Sequence, residues 1–446
     1  MIRAMNDRFA KLYPQHLETV KARHDKALAE TGYDHIIIFG GEIHIQFLDD
    51  TYYPFKVNPH FKAWVPVVDN PHCFIVYTPG QTPRLVYYQP VDYWYKPASA
   101  PSGYWTDHFD IRVIDTPEKA KAHFPKDGRS AFIGEPDVAE TLLSVGDVNP
   151  EALLNALHFE RSWKTDYEIA CLTEANVRGV RGHRAAAKAF REGKSEFEIH
   201  IDFLLHSSQA EEELPYGNII ALNENASVLH YLNHLREQPG DLRYSFLIDA
   251  GAQYHGYASD VTRTYARDER GEFAKLIAAM DAMQQRLCTM AKPGINYIDI
   301  HMAAHKEVAT ILHDFDFVRD LDADGIVEKR ISSTFFPHGV GHFLGLQVHD
   351  VAGFHENRAG CIIAKPEGHP YLRLTRIIDP RMVFTVEPGL YFIESLLADL
   401  QKTDNAKYVN WTKVDEFRKF GGIRIEDDIV VTDDGHVNLT RQAFAS

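Results

Sequence analysis

The chain has few cysteines, an excess of acidic over basic residues, and no long apolar run. Its 4 cysteines lie far apart and form no CxxC pair, so neither a zinc finger nor a disulfide framework is indicated. The net charge of −16 argues against a nucleic-acid partner, because phosphate binding needs basic stripes. Without an apolar run of membrane-spanning length or an apolar signal segment, we expect a cytoplasmic protein with reduced thiols and no membrane partner.

The length and composition are those of a globular protein with more than one domain. The 446 residues are 45% hydrophobic and 25% charged, which predicts two or three domains, or one large α/β unit with a smaller one. A core of this size does not need a metal ion for stability. A metal site in this chain would therefore serve function.

The first part of the chain alternates helical and strand patterns, which predicts an α/β domain over 1–158. Residues 6–32 predict one long helix or a helix pair. The short apolar runs at 34–41, 72–78 and 84–89 predict strands. A continuous helical pattern over 158–193 ends at a glycine, and we place the start of the second domain, 159–446, at this pattern.

The second domain is predicted to be α+β. Strands are predicted for the stretches NIIALN, SVLHYL, YSFLIDAG and DVTRTY, and helices for 270–291 and 297–314. Beyond residue 331, strands are expected to dominate again. Helices would thus cluster early in this domain and strands late.

Two aspartates flank a glycine-containing connection between two of these strands. Asp249 ends the first strand and Asp260 begins the second, so an antiparallel hairpin would bring them side by side. Unpaired carboxylates next to apolar runs are costly and repel each other, and a divalent cation would remove both problems. The alternative is that they only cap turns.

Two glutamates and an arginine follow strand-like runs later in the chain. Glu387 precedes Pro-Gly, and alternation places Arg424 and Glu426 on one face of their strand. Taken alone, Glu387 could simply end a strand, and Arg424 with Glu426 could be a solvated pair. Together with the aspartates and a histidine, the carboxylates would balance two divalent ions of the Mn²⁺, Co²⁺, Fe²⁺ or Zn²⁺ type.

The stretch PHGVGHFLGLQVHD contains three histidines, His338, His342 and His349. Their spacing leaves three interpretations open. All three could bind metal, one could bind metal while the other two assist, or all could be ordinary polar residues beside glycines.

Five residues of metal-binding type occur in a spaced order: Asp249, Asp260, His342, Glu387 and Glu426. Their order and type resemble the five-ligand pattern of the metal-dependent Xaa-Pro dipeptidases (prolidases), which have the pita-bread fold shared with methionine aminopeptidase and aminopeptidase P. The stretches 47–67, 215–231 and 333–354 are similar to the bacterial branch that includes the organophosphorus acid anhydrolases. The resemblance covers nearly the whole chain. It implies a pita-bread catalytic domain with a smaller α/β N-terminal domain.

The resemblance implies roles for these five residues with two divalent metal ions, Mn²⁺ with Co²⁺ and Zn²⁺ as alternatives. Asp249 would bind one ion, while Asp260 and Glu426 would bridge both. His342 and Glu387 would complete the second site, and Glu387 would also shuttle a proton.

The resemblance also assigns a substrate side to the site. The catalytic candidates besides Glu387 are His338, His349 and His230. The candidates for substrate binding are Arg373, Arg424, Tyr216, Tyr297, Val348 and Leu372. Arg376 is an alternative to Arg373, and Arg424 could instead support a ligand. In a homodimer, the N-terminal domain would cap the partner's site with Asp50, and Trp94 would lie near that pocket.

The expected activity is hydrolysis of dipeptides with C-terminal proline, with a side activity on organophosphorus triesters and fluorophosphonates. Aminopeptidase P activity on longer peptides is the alternative within the same class. Outside this class, the alternative is a non-catalytic binding module. The presence of all five ligand residues argues against that alternative. One departure from the family pattern is Asp428, which stands where an asparagine is expected.

Overall fold

The computed structural model describes residues 2–142 and 147–446. The chain forms two compact units, of which the first contains Met1–Cys171, His255–Tyr257 and Asn357–Cys361 and the second contains the remainder. None of the described helices has both the length and the apolar character needed to traverse a lipid bilayer.

The first unit is built on a mixed six-stranded sheet. Its helices are α1 Ile2–Thr31, α2 Pro59–Lys62, α3 Pro136–Leu142 and α4 Glu151–Glu160, and its strands are β1 His35–Phe39, β2 Phe74–Tyr77, β3 Arg84–Tyr88, β4 Asp110–Ile114, β5 Ser130–Ile133 and β6 Asp147–Val148. The strand order is β4-β3-β2-β1-β5-β6, with β1 antiparallel to β2 and parallel to β5. Ile37, Phe39, Phe74 and Phe132 are buried in its core. The predicted α/β character is confirmed, and the N-terminal segment is one helix.

The predicted helix over 158–193 is wrong at its beginning. Helix α4 ends at Glu160, and α5 (Asp166–Glu192) starts only after a break. The Thr165 hydroxyl accepts a hydrogen bond from the Glu168 amide over 3.3 Å, and the Glu168 carboxylate accepts one from the Thr165 amide over 2.8 Å. This reciprocal pair is a capping box, which satisfies amides that the first helical turn leaves unpaired. It therefore starts a new helix here.

From α5 onward, groups of helices and groups of strands follow one another. The helices are α6 Glu196–Ser207, α7 Glu272–Thr289, α8 Tyr297–Asp314, α9 Ala323–Glu328, α10 Ile331–Phe335, α11 Glu394–Gln401, α12 Trp411–Phe417 and α13 Leu439–Ala445. The strands are β7 Ile219–Leu222, β8 Ser245–Asp249, β9 Gln253–Tyr254, β10 Tyr257–Ala258, β11 Thr262–Ala266, β12 Val383–Val386, β13 Gly389–Tyr391, β14 Gly422–Arg424, β15 Asp427–Val431 and β16 His436–Asn438. The expectation that strands dominate beyond residue 331 is wrong, because α10 to α13 are interleaved with them.

The stretch SVLHYL is also not a strand. A short 3₁₀ helix covers Asn223–Ser227, and a turn containing His230 follows it. Asn223 adopts a positive φ of 57°, and its side chain bonds to the Tyr244 amide and the Leu242 carbonyl. Since asparagine tolerates this conformation and bonds to nearby backbone, it ends β7 and reverses the chain.

Three small sheets of the second unit bring distant segments together. Their strand orders are β11-β8-β7, β12-β15-β16 and β13-β14. An isolated bridge between Thr262 and Glu426 connects the first sheet to the connection between β14 and β15. The strand ends that carry the acidic residues therefore meet in one place.

Candidate metal centre

The two predicted aspartates lie at neighbouring strand ends. Strands β8 and β11 pair antiparallel with Asp249 opposite Thr262, and Asp260 comes just before that strand, so the predicted hairpin-like arrangement is confirmed. The Asp249 carboxylate accepts hydrogen bonds from the Tyr216 hydroxyl at 2.8 Å and the Arg424 guanidinium at 2.7 Å. Burial and the Asp260 charge nonetheless raise the pKa of Asp249, although Arg424 opposes this.

The two glutamates occupy breaks between strands. Glu387 lies between β12 and β13, and Glu426 lies between β14 and β15. Val386 pairs with Asp427, so the antiparallel pairing of β12 with β15 brings these two breaks together. Glu426 is 1% exposed, and its carboxylate accepts a hydrogen bond of 2.7 Å from the Thr262 hydroxyl. The alternative of a solvated Arg–Glu pair is wrong, because Arg424 is buried as well.

His342 points one ring nitrogen at this acidic group. Its Nδ1 lies 3.0 Å from the Phe343 carbonyl oxygen and must donate to it, so Nε2 is the nitrogen that faces the carboxylates. Nε2 lies 3.4 Å from Asp260 Oδ2 and 3.5 Å from Glu387 Oε1. Burial would lower the pKa of His342, but these carboxylates raise it to about 9. The imidazole is thus oriented as a metal ligand is, with its second nitrogen fixed by a carbonyl.

The donor set fits a divalent cation. One ligand atom each of Asp260, His342 and Glu426 lies within 4.8 Å of the others. Burial, added to the charges of the neighbouring acids, raises the pKa of Glu387 to about 7 and raises that of Glu426 strongly. The carboxylates therefore repel one another within the protein. Oxygen ligands with one imidazole suit Mn²⁺, Co²⁺ or Zn²⁺, and a cation would relieve the repulsion.

Arg424 is held by the acidic group and its surroundings. Its Nη2 donates to Asp249, its Nη1 donates to the Tyr391 hydroxyl at 2.8 Å, and its Nε donates to the Thr262 hydroxyl at 3.2 Å. All three nitrogens thus bond to protein, which favours support of a ligand over contact with substrate. Thr262 and Tyr391 were not singled out from the sequence. Alternation could have found Thr262, because it lies two residues after Asp260 and so faces the same side of the strand.

Asp428 lies behind the centre and is fully buried. Its Oδ2 accepts hydrogen bonds from the Asn176 side-chain amide at 2.7 Å and from the Asp260 backbone amide at 3.1 Å. Burial, together with the Asp260 charge, raises the pKa of Asp428 well above its usual range. The departure from the family pattern therefore touches the backbone of a predicted ligand.

The remaining histidines differ in what they can offer a substrate. His338 Nδ1 donates to the Gly339 carbonyl at 2.8 Å, and its Nε2 lies 2.9 Å from the Tyr391 hydroxyl, so both nitrogens are engaged. His349 is exposed and packs edge-to-face on His342, with ring centroids 4.3 Å apart. His230 is exposed and near enough to lower the pKa of His338 and of His349. His349 and His230 are therefore the freer donors.

The other predicted substrate residues divide by burial. Arg373 is exposed and lowers the pKa of His349, whereas Arg376 is buried with its guanidinium over the Phe343 ring, which favours Arg373 as the arginine that faces the site. Tyr297 is fully buried, and its hydroxyl donates to the Thr385 carbonyl at 2.7 Å.

The remaining three substrate candidates lie in different surroundings. Leu372 is buried and Val348 is half-buried. Asp50 is exposed in the first unit. The pocket roles of Tyr297, Leu372, Val348 and Asp50 stay predictions.

Comparisons with known proteins agree with this chemistry. Residues 11–159 match the family model for the Xaa-Pro dipeptidase N-terminal domain, and residues 170–433 match metallopeptidase family M24. The chain is 50% identical over 436 residues to an Xaa-Pro dipeptidase of Pseudoalteromonas translucida, covering 98% of this chain and 99% of that protein. It is also 50% identical to an Xaa-Pro dipeptidase of Stenotrophomonas maltophilia, covering 98% of both.

Solved structures show the same fold. Zinc-substituted aminopeptidase P of Escherichia coli, in complex with product, superposes with a TM-score of 0.72 at 21% identity, covering 96% of this chain and 95% of that one. Proline aminopeptidase P II of Yersinia pestis gives a TM-score of 0.70 at 22% identity, covering 96% of both chains. These likenesses concern the fold alone.

The fold and the acidic cluster with its histidine define a pita-bread metallopeptidase, as predicted. More closely, the chain belongs to metallopeptidase family M24 and, within it, to the Xaa-Pro dipeptidase family. It is a metal-dependent hydrolase.

Proposed function

We propose that this chain hydrolyses dipeptides with C-terminal proline, using two divalent metal ions, Mn²⁺ by preference, held by Asp249, Asp260, His342, Glu387 and Glu426. The observation that carries the proposal is the buried convergence of Asp260, His342 and Glu426 within 4.8 Å. The relatives that are 50% identical over nearly their full length are Xaa-Pro dipeptidases, which supports the substrate class. Reduced cysteines fit action in the cytoplasm, since all four are free.

The metal ions, when bound, supply Lewis acidity for the scissile carbonyl and lower the pKa of water. Glu387 is the proton carrier, because it is a carboxylate of the centre that is only partly buried and can therefore exchange protons with substrate and water. His349 and His230 are the donors for the developing oxyanion, since both are exposed beside the cluster. Arg373 binds the substrate carboxylate, and Arg424 positions Asp249.

The test is Leu-Pro hydrolysis after Mn²⁺ loading, with bound metal measured on the same samples. Asp260→Asn should lose metal and nearly all activity, because a proposed carboxylate ligand is gone. Asp299→Asn, the same change at an exposed position on α8, should keep both. Full activity of Asp260→Asn would contradict the mechanism. Rapid cleavage of the first bond of a tripeptide Xaa-Pro-Xaa would favour the aminopeptidase P alternative instead.

We also propose that the chain works as a homodimer through an apolar patch on the first unit, defined by Phe47, Leu48, Val91, Tyr93 and Trp94. These side chains are between 77% and 98% exposed. The Tyr52 and Tyr95 rings lie 5.4 Å apart and connect the two segments that carry the patch. An exposed patch of this kind is typical of an association surface, and a second copy is the occupant that the family suggests.

Asp50 belongs to the first of these segments, which is consistent with its proposed role near a partner's pocket. Val91→Asp should shift the protein to monomer in sedimentation velocity while keeping its bound metal. Leu205→Asp, at an exposed leucine of the second unit, is the matched control. An unchanged dimer in Val91→Asp would contradict the assignment of the patch.

A side activity on phosphotriesters and fluorophosphonates belongs to the same proposal. The groups that stabilise a tetrahedral carbon centre suit a tetrahedral phosphorus centre as well. A fluorophosphonate assay at an enzyme dose that gives full dipeptidase activity is the test. Absence of fluoride release would limit the activity to peptides.

A further inference from the structure

A second group of metal-binding side chains lies outside the acidic centre, and we call it the three-histidine cluster: His301, His305 and His369. His301 and His305 are one turn apart on α8 and are 1% and 2% exposed. His369 is half-buried in the 366–373 loop. Each ring centroid lies between 4.6 and 4.8 Å from the other two.

The three imidazoles are neutral and therefore able to bind a metal ion. Burial, reinforced by the other histidines, lowers the pKa of His301 to about 2 and that of His305 to about 3. Burial and Arg330 lower the pKa of His369 as well. Metal ligation needs the unprotonated ring, so these groups need not release protons at neutral pH to accept a cation.

The hydrogen bonds of the cluster are incomplete. His301 Nε2 and His369 Nδ1 share one hydrogen bond of 2.8 Å. His305 Nδ1 bonds to the Ser332 hydroxyl at 3.2 Å, an arrangement that fixes the ring and leaves Nε2 available. His301 Nδ1 is buried and has no hydrogen-bond partner among the residues that the structure describes. Buried polar atoms are rarely left unpaired, so the hydrogen bonds of the protein alone do not satisfy this cluster.

We propose that the three-histidine cluster binds one transition-metal ion, with Zn²⁺ as the class representative, through one nitrogen of each imidazole. The three donor atoms already lie within 4.8 Å of one another. Zinc–nitrogen bonds of about 2.1 Å in a tetrahedral site place the nitrogens about 3.4 Å apart, so His301 Nε2 and His369 Nδ1, which are 2.8 Å apart, would separate by about 0.6 Å. Because His369 is half-buried, water could reach the ion and complete the site.

Ligand type separates this site from the acidic centre. Imidazole suits Zn²⁺, Ni²⁺ or Cu²⁺, whereas carboxylate oxygens suit Mn²⁺. The cluster contains no carboxylate, and the acidic centre contains only one predicted imidazole ligand. The two sites should therefore differ in how strongly they prefer Zn²⁺ over Mn²⁺.

Metal binding by His369 would restrain the loop in which this residue lies. The His369 amide donates to the Pro366 carbonyl at 3.1 Å, and the Leu372 amide donates to the His369 carbonyl at 3.3 Å. A metal bond to His369 would thus fasten the loop that carries Leu372 and Arg373 to helix α8. The Phe336 ring packs between His305 and His338, with centroid distances of 4.8 and 4.9 Å, so the loop anchor lies one ring behind the acidic centre.

The test is a Zn²⁺ titration of the Mn²⁺-saturated protein, with both metals counted by mass spectrometry after equilibrium dialysis. Wild type and His313→Gln, an exposed histidine on the same helix, should each bind one Zn²⁺ more than the number of Mn²⁺ ions that they release. His369→Gln should lack that additional ion. Zn²⁺ should also raise Tm in wild type and His313→Gln but not in His369→Gln, because only a bound ligand stabilises the fold.

A spectroscopic measurement on the wild-type protein tests the same proposal even if the variant misfolds. One equivalent of Cu²⁺ in place of Zn²⁺ should show nitrogen hyperfine splitting from three imidazoles in electron paramagnetic resonance. Equal Zn²⁺ uptake by His369→Gln and wild type would overturn the proposal, and so would uptake only at the expense of Mn²⁺. Neither result depends on peptidase activity, so the failure of this proposal is distinguishable from a failure of the proposed function.

Discussion

Glu426 and Asp427 are neighbours on the chain, and both are buried, yet their surroundings are opposite. Glu426 faces other carboxylates, and burial together with Asp260 and Glu387 raises its pKa strongly. Asp427 faces two arginines, which lower its pKa to about 2 despite its burial. Alternation along a strand turns consecutive residues to opposite sides, so one step along the chain separates two kinds of site.

Protein side chains neutralise the charge of Asp427 and fill its hydrogen-bonding positions without a bound ion. Its Oδ1 accepts from Arg263 at 2.6 Å, and its Oδ2 accepts from Arg441 at 2.7 Å. The side-chain amides of Gln284 and Asn438 add hydrogen bonds of 3.0 and 2.8 Å. Glu426 has one hydroxyl donor, Thr262, and an excess of negative charge around it. The difference shows that a buried carboxylate indicates a cation site when the surrounding protein does not neutralise its charge.

Glu426→Gln should have the largest effect on activity. It removes a proposed bridging charge while the Thr262 hydrogen bond can remain, so Leu-Pro hydrolysis should fall by more than the roughly 100-fold typical of groups that only orient a ligand. Bound Mn²⁺ should fall as well. The metal-free variant should resist urea better than metal-free wild type, because repulsion is relieved. Lower stability of the metal-free variant would contradict this description of the centre.

Asp427→Asn should lower the stability of the protein and leave its metal binding unchanged. It leaves Arg263 and Arg441 without their buried partner, and breaking such a pair costs about 3 to 5 kcal/mol. The free energy of unfolding should fall by that amount in urea titration, while the bound metal per folded chain stays unchanged. Asp281→Asn is the control, since Asp281 also bonds to Arg441 but is partly exposed and should cost about 1 kcal/mol or less. If Asp427→Asn and Asp281→Asn lost equal amounts of unfolding free energy, the buried ion pairs of Asp427 would have no special role in stability.

The metal-free centre should make stability depend on pH. Glu387 has its pKa raised from 4.5 to about 7, and His342 has its pKa raised from 6.5 to about 9. In both cases the protonated form is favoured in the folded state, so the contribution is full at low pH and is lost as the pH rises, between 4.5 and 7 for Glu387 and between 6.5 and 9 for His342. Unfolding titrations of metal-free protein should show this decline, and Mn²⁺-saturated protein should not. A gain in stability over this range would refute the assignment.

Much of the site was predictable from residue types and strand periodicity. The side-by-side placement of Asp249 and Asp260 followed from two apolar runs around a glycine-rich connection, and pairing of β8 with β11 confirms it. The contrast between Glu426 and Asp427 was not predictable, because alternation does not say which face meets arginines from α13 and β11. The contact between Arg263 and Asp427 depends on tertiary packing, because 164 positions of the chain separate the two residues.

Local signals were also missed, for identifiable reasons. The Thr165–Glu168 capping box is visible as TDYE in the sequence, but the helical periodicity on both sides of it masked the break. The stretch SVLHYL has a β-like composition, and the turn formed by Asn223 overrides it. In both places hydrogen bonds between polar side chains and the backbone decide the conformation, and the backbone partners of Asn223 lie 19 and 21 residues away.

Thr262→Val should give the smallest effect, and it tests the hydroxyl link between Arg424 and Glu426. The Thr262 hydroxyl donates to Glu426 at 2.7 Å and accepts from Arg424 at 3.2 Å. Valine keeps the shape but removes both bonds, so Glu426 and Arg424 should lose orientation and Leu-Pro kcat/KM should fall about 10-fold, the low end for such supporting groups. Thr264→Val is the matched control on the same face of β11, because the Thr264 hydroxyl bonds only to backbone atoms of Arg424. If Thr264→Val lowered kcat/KM as much as Thr262→Val, the loss would reflect general packing of the strand, and the hydroxyl link from Arg424 to Glu426 would have no separate role.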